Sequence, residues 1–373
     1  MNIKKNFTQL YITILIYMFS YQLVEGYPDA QTSTNENNLN IELFSGNTMG
    51  TTYHIKVVMD KNEETPKSTT QKSKALHTLI EEKLKQVNQS MSVYIPDSEI
   101  SLFNKADKGE IIKISSDFND VMVKAQKIYT ITEGAWDGTV KPLVDLWGFG
   151  TKKEITDVPS SENIRVYLQT IGFNQININT QNKTLQKQNA AITLDLGSIA
   201  KGFGVDAVAQ LLKSEGYSNF LVEIGGEVFA SGKKSVAKHW MVGISKPNKG
   251  VFTGKEESML NAVYDALPLQ DKSLATSGDY RNFTIIEGKT YSHIINPTTG
   301  YPVDNGVVSA SVIADNCTFA DGLATALMVM GHEKGVNLVN SLENVECLIL
   351  VKDKYGVITE YKSNTFVFKH KSR

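Results

Sequence analysis

The chain has 373 residues, a formal net charge of −2 and only two cysteines, Cys317 and Cys347. This length allows a large buried core in one or two domains. The near-neutral charge gives no support for a nucleic-acid partner, and the cysteines lack the spacing of a zinc site.

The N-terminal region differs from the rest of the chain. Lys4 and Lys5 precede an uncharged apolar run at 7–24, and Gly26 follows, which is typical of a secretory signal. The run is barely long enough to span a bilayer, so an uncleaved anchor is the alternative. We therefore predict a signal peptide or anchor at 1–26 and an exported protein, either periplasmic or associated with the membrane through this segment.

The next segments give clear secondary-structure patterns. Asn, Thr, Ser and Gln dominate a predicted disordered spacer at 27–40, and one folded domain is predicted at 41–369. Alternation and helical spacing predict, in order, a strand at 50–58, a polar loop at 61–72, and helices at 74–89, 117–132 and 162–171.

Strands and helices are interspersed from residue 192 onward. The patterns predict strands at 192–196, 219–230 (broken by Gly225-Gly226), 240–244 and 307–314, hairpins at 281–295 and 346–361, and helices at 198–215 and 318–330. Neighbouring strands joined by hairpins indicate an α+β domain with a mixed, largely antiparallel sheet flanked by helices.

The segment around Ser198 is a candidate phosphate site. A predicted strand ends at a turn and a helix begins at Ser198, so free N–H groups and Lys201 would favour an anion such as a diphosphate. The pattern Gly202-x-Gly204-x-x-Ala207 also fits a dinucleotide-binding motif of NAD enzymes. The plain alternative is that both glycines allow the helix to pack closely.

Two further segments carry candidate site residues. Trp136, Trp147 and Phe149 lie among turn glycines, where they could hold an aromatic ring system such as a flavin or could simply pack in the core. Asp321 and Thr325 are four residues apart on a predicted helix and suit a metal that prefers oxygen ligands. The alternative for Asp321 is a first-turn position that favours an acidic residue at the helix dipole.

Several ordered motifs together resemble the ApbE-type flavin transferases over roughly residues 47–331. The matching segments are Thr48-Met-Gly-Thr51, Met91-Ser-Val-Tyr94, Gly134-Ala-Trp-Asp137, Leu146-Trp-Gly-Phe-Gly150, Leu194 to Gly202, Glu223-Ile-Gly-Gly-Glu227, Thr276-Ser-Gly-Asp279, His293 to Gly300 and Ala320 to Thr325.

The resemblance implies Mg²⁺-dependent transfer of FMN from FAD to a Thr or Ser of a partner protein, with release of AMP. By analogy, the partner would be a membrane redox subunit. Metal ligands would be Asp321, Thr325 and the Ser198 carbonyl, and His293 would be the general base. Without the resemblance, the default interpretation of His293 is a structural histidine with satisfied hydrogen bonds. FAD contacts would fall on Met49, Tyr94, Ala135, Trp136, Asp137, Asp195, Lys201 and Ile295.

The chain also departs from the usual pattern of that family. Trp136 stands where Phe is common, Asn296 where Asp is usual, and Thr298 where a basic residue is frequent, and there is no lipobox cysteine. The same site could instead hydrolyse FAD to FMN and AMP. A non-catalytic exported flavin-binding protein is a further alternative. Two cysteines in an exported protein could pair, and their spacing alone does not decide it. The favoured interpretation is two small buried residues, one in a helix and one in a strand.

Overall fold

The computed structural model describes residues 40–59, 66–150, 155, 157–247, 263–279 and 283–366. The predicted signal or anchor at 1–26 and the spacer up to residue 39 lie outside the described residues. Within the described part of the chain, no helix has the length and apolar character needed to cross a membrane.

The helices and strands have the following bounds. The helices are α1 Pro66–Met91, α2 Glu99–Lys105, α3 Ser116–Ile131, α4 Lys141–Leu146, α5 Ser161–Leu168, α6 Gly197–Ser214, α7 Cys317–Met330 and α8 His332–Asn340. The strands are β1 Asn40–Thr48, β2 Thr51–Met59, β3 Ile112–Lys113, β4 Ile176–Asn179, β5 Thr184–Lys187, β6 Phe220–Ile224, β7 Glu227–Ser231, β8 Trp240–Ser245, β9 Val263–Leu269, β10 Lys272–Gly278, β11 Phe283–Ile286, β12 Lys289–Ser292, β13 Val307–Ala314, β14 Glu346–Lys352 and β15 Ile358–Lys362.

The main sheet confirms the predicted α+β class. Over the described residues it has eight strands in the order β1–β2–β6–β7–β10–β13–β14–β15. Each neighbouring pair is antiparallel, because most of these strands are joined by tight hairpins or return alongside one another. Smaller antiparallel sheets are formed by β3–β5–β4, β8–β9 and β11–β12.

Helices cover one face of the main sheet and the β8–β9 hairpin covers the other. Alternation along β2 places Tyr53, Ile55 and Val57 in a buried cluster with residues of α1 and α6. On the opposite face, Trp240 of β8 packs with Leu221 of β6 and residues of β13 and β14. The sheet is therefore the middle layer, and α6 and α7 lie side by side on it.

Two predictions about individual elements are wrong. Residues 66–72, predicted as a loop, form the first turns of α1, where Pro66 occupies a position that proline tolerates well. Residues 192–196 are not a strand. Instead of a neighbouring strand, the Asn104 side chain pairs with Leu194: the Leu194 N–H donates to Oδ1 at 2.7 Å, and Nδ2 donates to the Leu194 carbonyl at 2.9 Å.

The favoured interpretation of the cysteines, as buried residues in a helix and a strand, is confirmed. Cys317 begins α7 and Cys347 lies on β14, and both are buried free thiols. Burial raises the pKa of the Cys317 thiol and raises the pKa of Cys347 to about 11.

Lys187 is an unexpected buried charge in the small sheet. Its side chain is 1% exposed, and Nζ donates to the Asn104 carbonyl at 3.0 Å and to the Ile192 carbonyl at 3.2 Å. Burial lowers the pKa of Lys187, while Asp107 and Glu110 oppose that effect. Lys187 thus ties the end of α2 to the segment that leads into α6.

We expect Lys187→Met to lower the free energy of unfolding by about 2 kcal/mol, because two inward-facing carbonyls lose a donor. Urea unfolding would measure this loss. Lys113→Met is the matched control, since Lys113 lies on β3 of the same sheet and is exposed. Equal stability of the two variants would contradict the proposed role of Lys187.

Candidate functional site

The site is built where α6 and α7 approach each other most closely. A Cβ atom on Gly202 would lie only 2.4 Å from the Cys317 carbonyl oxygen, so no larger residue fits between the two helices. This approach allows the Gly202 N–H to donate to Asp321 Oδ2 at 3.0 Å. Gly204 faces Met49 and Ile224 instead. Both glycines therefore serve close packing, and their position inside α6 does not support the NAD motif.

Asp321 is a buried carboxylate at the centre of this contact. Its side chain is 4% exposed, and Lys201 Nζ lies 3.8 Å from Oδ2. Burial raises the pKa of Asp321, while Lys201 and the Gly202 N–H oppose the effect. The proposed first-turn position is wrong, since α7 already begins at Cys317. The charge partner and the N–H, rather than the helix dipole, stabilise the carboxylate.

Lys201 is shared between two carboxylates. Nζ lies 3.4 Å from Oε1 of Glu227, which is 3% exposed at the start of β7. Burial alone would lower the pKa of Lys201, but Asp321 and Glu227 outweigh it and raise that pKa, so the ammonium stays charged. Glu227 was not predicted as a site residue. The feature that could have identified Glu227 is a charged residue at the first position of a strand whose residues are all buried.

The predicted metal ligands fit a small oxygen-preferring cation. In a regular α-helix the Ser198 carbonyl would accept from the Gly202 N–H, and that same N–H donates to Asp321. Regular helix geometry would therefore place the Ser198 carbonyl near the Asp321 carboxylate. Thr325 follows Asp321 by one turn, and its hydroxyl lies 3.0 Å from Ser277 Oγ. A carboxylate, a hydroxyl and a carbonyl are ligands suited to Mg²⁺.

Most of the predicted metal ligands are neutral oxygens rather than acidic or imidazole groups. Among the described residues, no group of three or more His, Cys, Asp or Glu side chains could hold a metal. Only Asp321 in the predicted set belongs to those residue types, so the set depends on neutral oxygens for its other ligands.

The two tryptophans pack in the core. Trp136 is 2% exposed and its Nε1 donates to Ser198 Oγ at 2.9 Å. Trp147 is fully buried and its Nε1 donates to the Gly300 carbonyl at 2.8 Å. Both indoles are packed within the protein, as the core-packing alternative predicts, and contact between Trp136 and a flavin stays a prediction. Trp136 holds the first turn of α6 through the Ser198 hydroxyl.

The chain segments around the start of α6 are fixed by backbone contacts. The Asp195 N–H donates to the Gly138 carbonyl at 2.8 Å, and Asp195 Oδ1 accepts from the Gly197 N–H at 2.9 Å.

Met49 has a φ of 50° in the two-residue turn between β1 and β2. A non-glycine residue in this strained conformation is often functional, and here it directs Met49 toward Gly204.

A separate cavity of about 320 Å³ lies beside Asp137. Tyr129, Pro297 and Thr298 contribute to its lining, so it joins the 134–139 segment to the segment after His293. Burial raises the pKa of Asp137, although Oδ1 accepts hydrogen bonds from the Thr139 N–H and hydroxyl. Ala135, half-buried, precedes this cavity on the same loop.

Three predicted residues lie on other parts of the fold. His293 directly follows β12, with its ring 6.3 Å from that of Phe149. Ile295 is 4% exposed and forms an isolated bridge with Pro302. Tyr94 is 79% exposed in the turn after α1. The structure thus brings Ser198, Lys201, Asp321 and Thr325 together, whereas the ligand roles of Tyr94, Ile295 and the Trp136 side chain stay predictions.

Comparisons with known proteins identify one family. Residues 49–349 match the model of the ApbE family. The FAD:protein FMN transferase of Vibrio cholerae is 40% identical over 86% of this chain and 90% of its own length. The Haemophilus influenzae enzyme of the same name is 39% identical, with 86% and 89% covered.

Solved structures agree with the sequence relatives. The flavin transferase ApbE from Vibrio cholerae superposes with a TM-score of 0.75 at 38% identity, covering 88% of this chain and 98% of that one. The apo form of the Pseudomonas stutzeri flavinyl transferase ApbE gives a TM-score of 0.74 at 31% identity, with 87% and 95% covered.

Proposed function

The chain belongs to the ApbE family and transfers FMN from FAD to a protein, and we propose that it does so with Mg²⁺, onto a Thr or Ser hydroxyl, with release of AMP. The observation that carries the finer proposal is the buried Asp321 beside Lys201 and the Gly202 N–H. This arrangement suits a diphosphate held between a cation and a helix start.

Each residue has a defined part in the proposed reaction. Lys201, in the first turns of α6, binds the diphosphate of FAD, and His293 accepts the proton of the attacking hydroxyl. The hydroxyl oxygen forms a bond to the phosphorus of the FMN half, and the bond from that phosphorus to the bridging oxygen breaks. AMP leaves with the bridging oxygen. Mg²⁺ held by Asp321, Thr325 and the Ser198 carbonyl would neutralise charge on the phosphates.

We also propose an exported enzyme whose acceptor is a membrane redox subunit outside the cytoplasm. The apolar run at 7–24 supports export, and the family resemblance supports the acceptor. The pyrophosphatase alternative uses the same residues, with water replacing the acceptor hydroxyl.

The test combines the full chain with FAD, Mg²⁺ and a candidate acceptor protein, and measures AMP release and the acceptor's intact mass. A mass gain equal to FMN, lost with EDTA and restored by Mg²⁺, is expected. AMP without a mass gain on any acceptor would favour the pyrophosphatase. Transfer that persists in EDTA would contradict the metal requirement.

His293→Ala is expected to slow transfer by about 10²–10⁴-fold while the affinity for FAD stays the same, because a general base acts on the reacting proton rather than on the bound substrate. Stopped-flow rates and FAD fluorescence quenching would measure the two effects. His239→Ala is the matched control, since His239 is exposed just before β8. A His293→Ala enzyme with near-normal rates would remove this residue from the mechanism.

A further inference from the structure

Ser277 is a polar residue on the face of β10 that α7 covers. β10 pairs with β13, and the register places Ser277 opposite Ala310. Ala310 and Ala275, which lies two residues before Ser277 on the same face, are fully buried in the core between the sheet and the helices. The Ser277 hydroxyl is half-buried beside these methyl groups, so a hydrogen-bond partner on the helix stabilises it there.

That partner is the hydroxyl of Thr325 on α7, one of the proposed metal ligands. The two hydroxyl oxygens lie 3.0 Å apart. Thr325 has an alternative acceptor in the Asp321 carbonyl, one turn earlier in α7, but that oxygen lies 3.4 Å away. This distance exceeds the usual range of about 2.5–3.0 Å for a hydrogen bond from a hydroxyl to an oxygen. Over the described residues, Ser277 is therefore the closer partner of the Thr325 hydroxyl.

The proton of a hydroxyl ligand restricts how that ligand can bind a cation. A threonine hydroxyl carries one proton and two lone pairs, and only a lone pair can bind a cation. If Thr325 binds Mg²⁺, its proton must therefore point away from the cation and toward another acceptor. Ser277 Oγ is the acceptor within normal hydrogen-bond distance. Because a bound cation makes the Thr325 proton a better donor, it also strengthens this hydrogen bond.

The sheet holds Ser277 in position for this contact. The ladder between β10 and β13 runs from Ser273 to Gly278, so the backbone of Ser277 is paired and cannot move freely. Without a fixed acceptor, the Thr325 hydroxyl could rotate among several positions, and only some of them would present a lone pair to the cation. Residues that orient a metal ligand in this way typically change metal affinity by about 10–100-fold when they are removed.

The residue before Ser277 provides an internal comparison. Thr276 Oγ1 lies 2.8 Å from Ser311 Oγ, and the two residues are directly paired in the ladder between β10 and β13. Alternation along β10 directs this pair to the face of the sheet opposite α7. The same two strands therefore carry a second hydroxyl–hydroxyl contact of similar length, which does not involve Thr325.

We propose that Ser277 is a positioning residue for the metal site: its hydroxyl accepts the proton of Thr325, fixes the rotation of that hydroxyl and thereby sets the affinity for Mg²⁺. Ser277 acts through Thr325 and does not itself bind the cation. The proposal rests on the proposed function, since it assumes that Thr325 is a metal ligand.

The test measures Mg²⁺ binding to the full chain directly, by calorimetric titration in the presence of an FAD analogue that is not cleaved. Ser277→Ala is expected to weaken Mg²⁺ binding by about 10–100-fold. Ser311→Ala is the matched control, because it removes a serine–threonine contact from the same two strands. It should lower the melting temperature about as much as Ser277→Ala does, but bind Mg²⁺ as tightly as wild type. Equal Mg²⁺ affinity of the two variants would overturn the proposal.

A double-mutant cycle tests whether Ser277 acts through Thr325. Thr325→Ala alone should weaken Mg²⁺ binding, because it removes a ligand. Ser277→Ala should then have no further effect, since the hydroxyl that it orients is gone. A further loss by the same factor in the double variant would overturn the proposal. Mn²⁺ suits the same oxygen ligands and gives a sharp EPR signal when free, so it allows weak binding in the double variant to be measured.

Transfer kinetics give an independent readout. Ser277→Ala should raise the Mg²⁺ concentration that gives the half-maximal transfer rate, while the rate at saturating Mg²⁺ stays close to that of wild type. A low rate that saturating Mg²⁺ does not restore would contradict a role in metal affinity alone. Failure of the wild-type chain to bind Mg²⁺, or wild-type affinity in Thr325→Ala, is a different result: it removes the proposed metal site itself and is recognised before Ser277 is tested.

Discussion

Asp321→Ala is expected to reduce FMN transfer by at least about 10²–10³-fold, because it removes the only carboxylate of the proposed metal site. It also leaves Lys201 with Glu227 as its remaining ion-pair partner. Breaking a fully buried pair costs about 3–5 kcal/mol, and we expect about 2 kcal/mol here because the Lys201 side chain is 27% exposed. Calorimetric titration of the protein with Mg²⁺ and an FAD analogue would detect the lost metal.

Asp315→Ala separates the site effect from a general loss of charge. Asp315 precedes α7 and pairs with Lys272, but its side chain is 61% exposed. Such a surface pair contributes about 0–1 kcal/mol. We expect normal transfer and metal binding in this variant. If Asp321→Ala bound Mg²⁺ as tightly as Asp315→Ala does, the proposed metal site would be wrong.

Gly202→Ala is the second substitution with a large expected effect. Its Cβ would lie 2.4 Å from the Cys317 carbonyl oxygen and 2.9 Å from Asp321 Cβ, so the two helices must separate. Such overpacking costs about 1–3 kcal/mol. The shift also lengthens the hydrogen bond from the Gly202 N–H to Asp321, so transfer should fall more than stability alone explains.

Gly204→Ala tests the interpretation of the glycine pair. Its Cβ would meet the flexible end of the Met49 side chain at 2.6 Å, which can move aside. We expect thermal unfolding of Gly204→Ala within a few degrees of wild type, against a clear loss of stability for Gly202→Ala. Equal losses in both variants would indicate a glycine requirement other than the contact between α6 and α7.

Local sequence patterns correctly predicted the helices and strands whose own residues carry a clear hydrophobic pattern. The helix predicted at 318–330 is α7 at Cys317–Met330, and the strand predicted at 307–314 is β13. Both segments are rich in apolar residues, so their own sequences are enough to predict them. By contrast, β10 at Lys272–Gly278 was missed, since it lies between β7 and β13 and small and polar residues obscure its alternation.

The candidate site was predicted less completely because its contacts are long-range. Lys201 meets Glu227 only after β6 and β7 turn back at Gly225-Gly226, and no periodic signal encodes that meeting. The Trp136 indole was predicted either to contact a flavin or to pack in the core, and no sequence pattern indicated that its Nε1 donates to Ser198 Oγ. Side-chain roles of this kind depend on which face of the segment the rest of the chain covers.

The two buried thiols have a consequence for how the protein matures. Cys317 and Cys347 make no disulfide, and burial keeps both thiols protonated because it raises their pKa values. A protonated, inaccessible thiol reacts slowly with oxidants. Folding therefore requires no disulfide between Cys317 and Cys347, and we expect the folded enzyme to respond little to the redox potential of its surroundings.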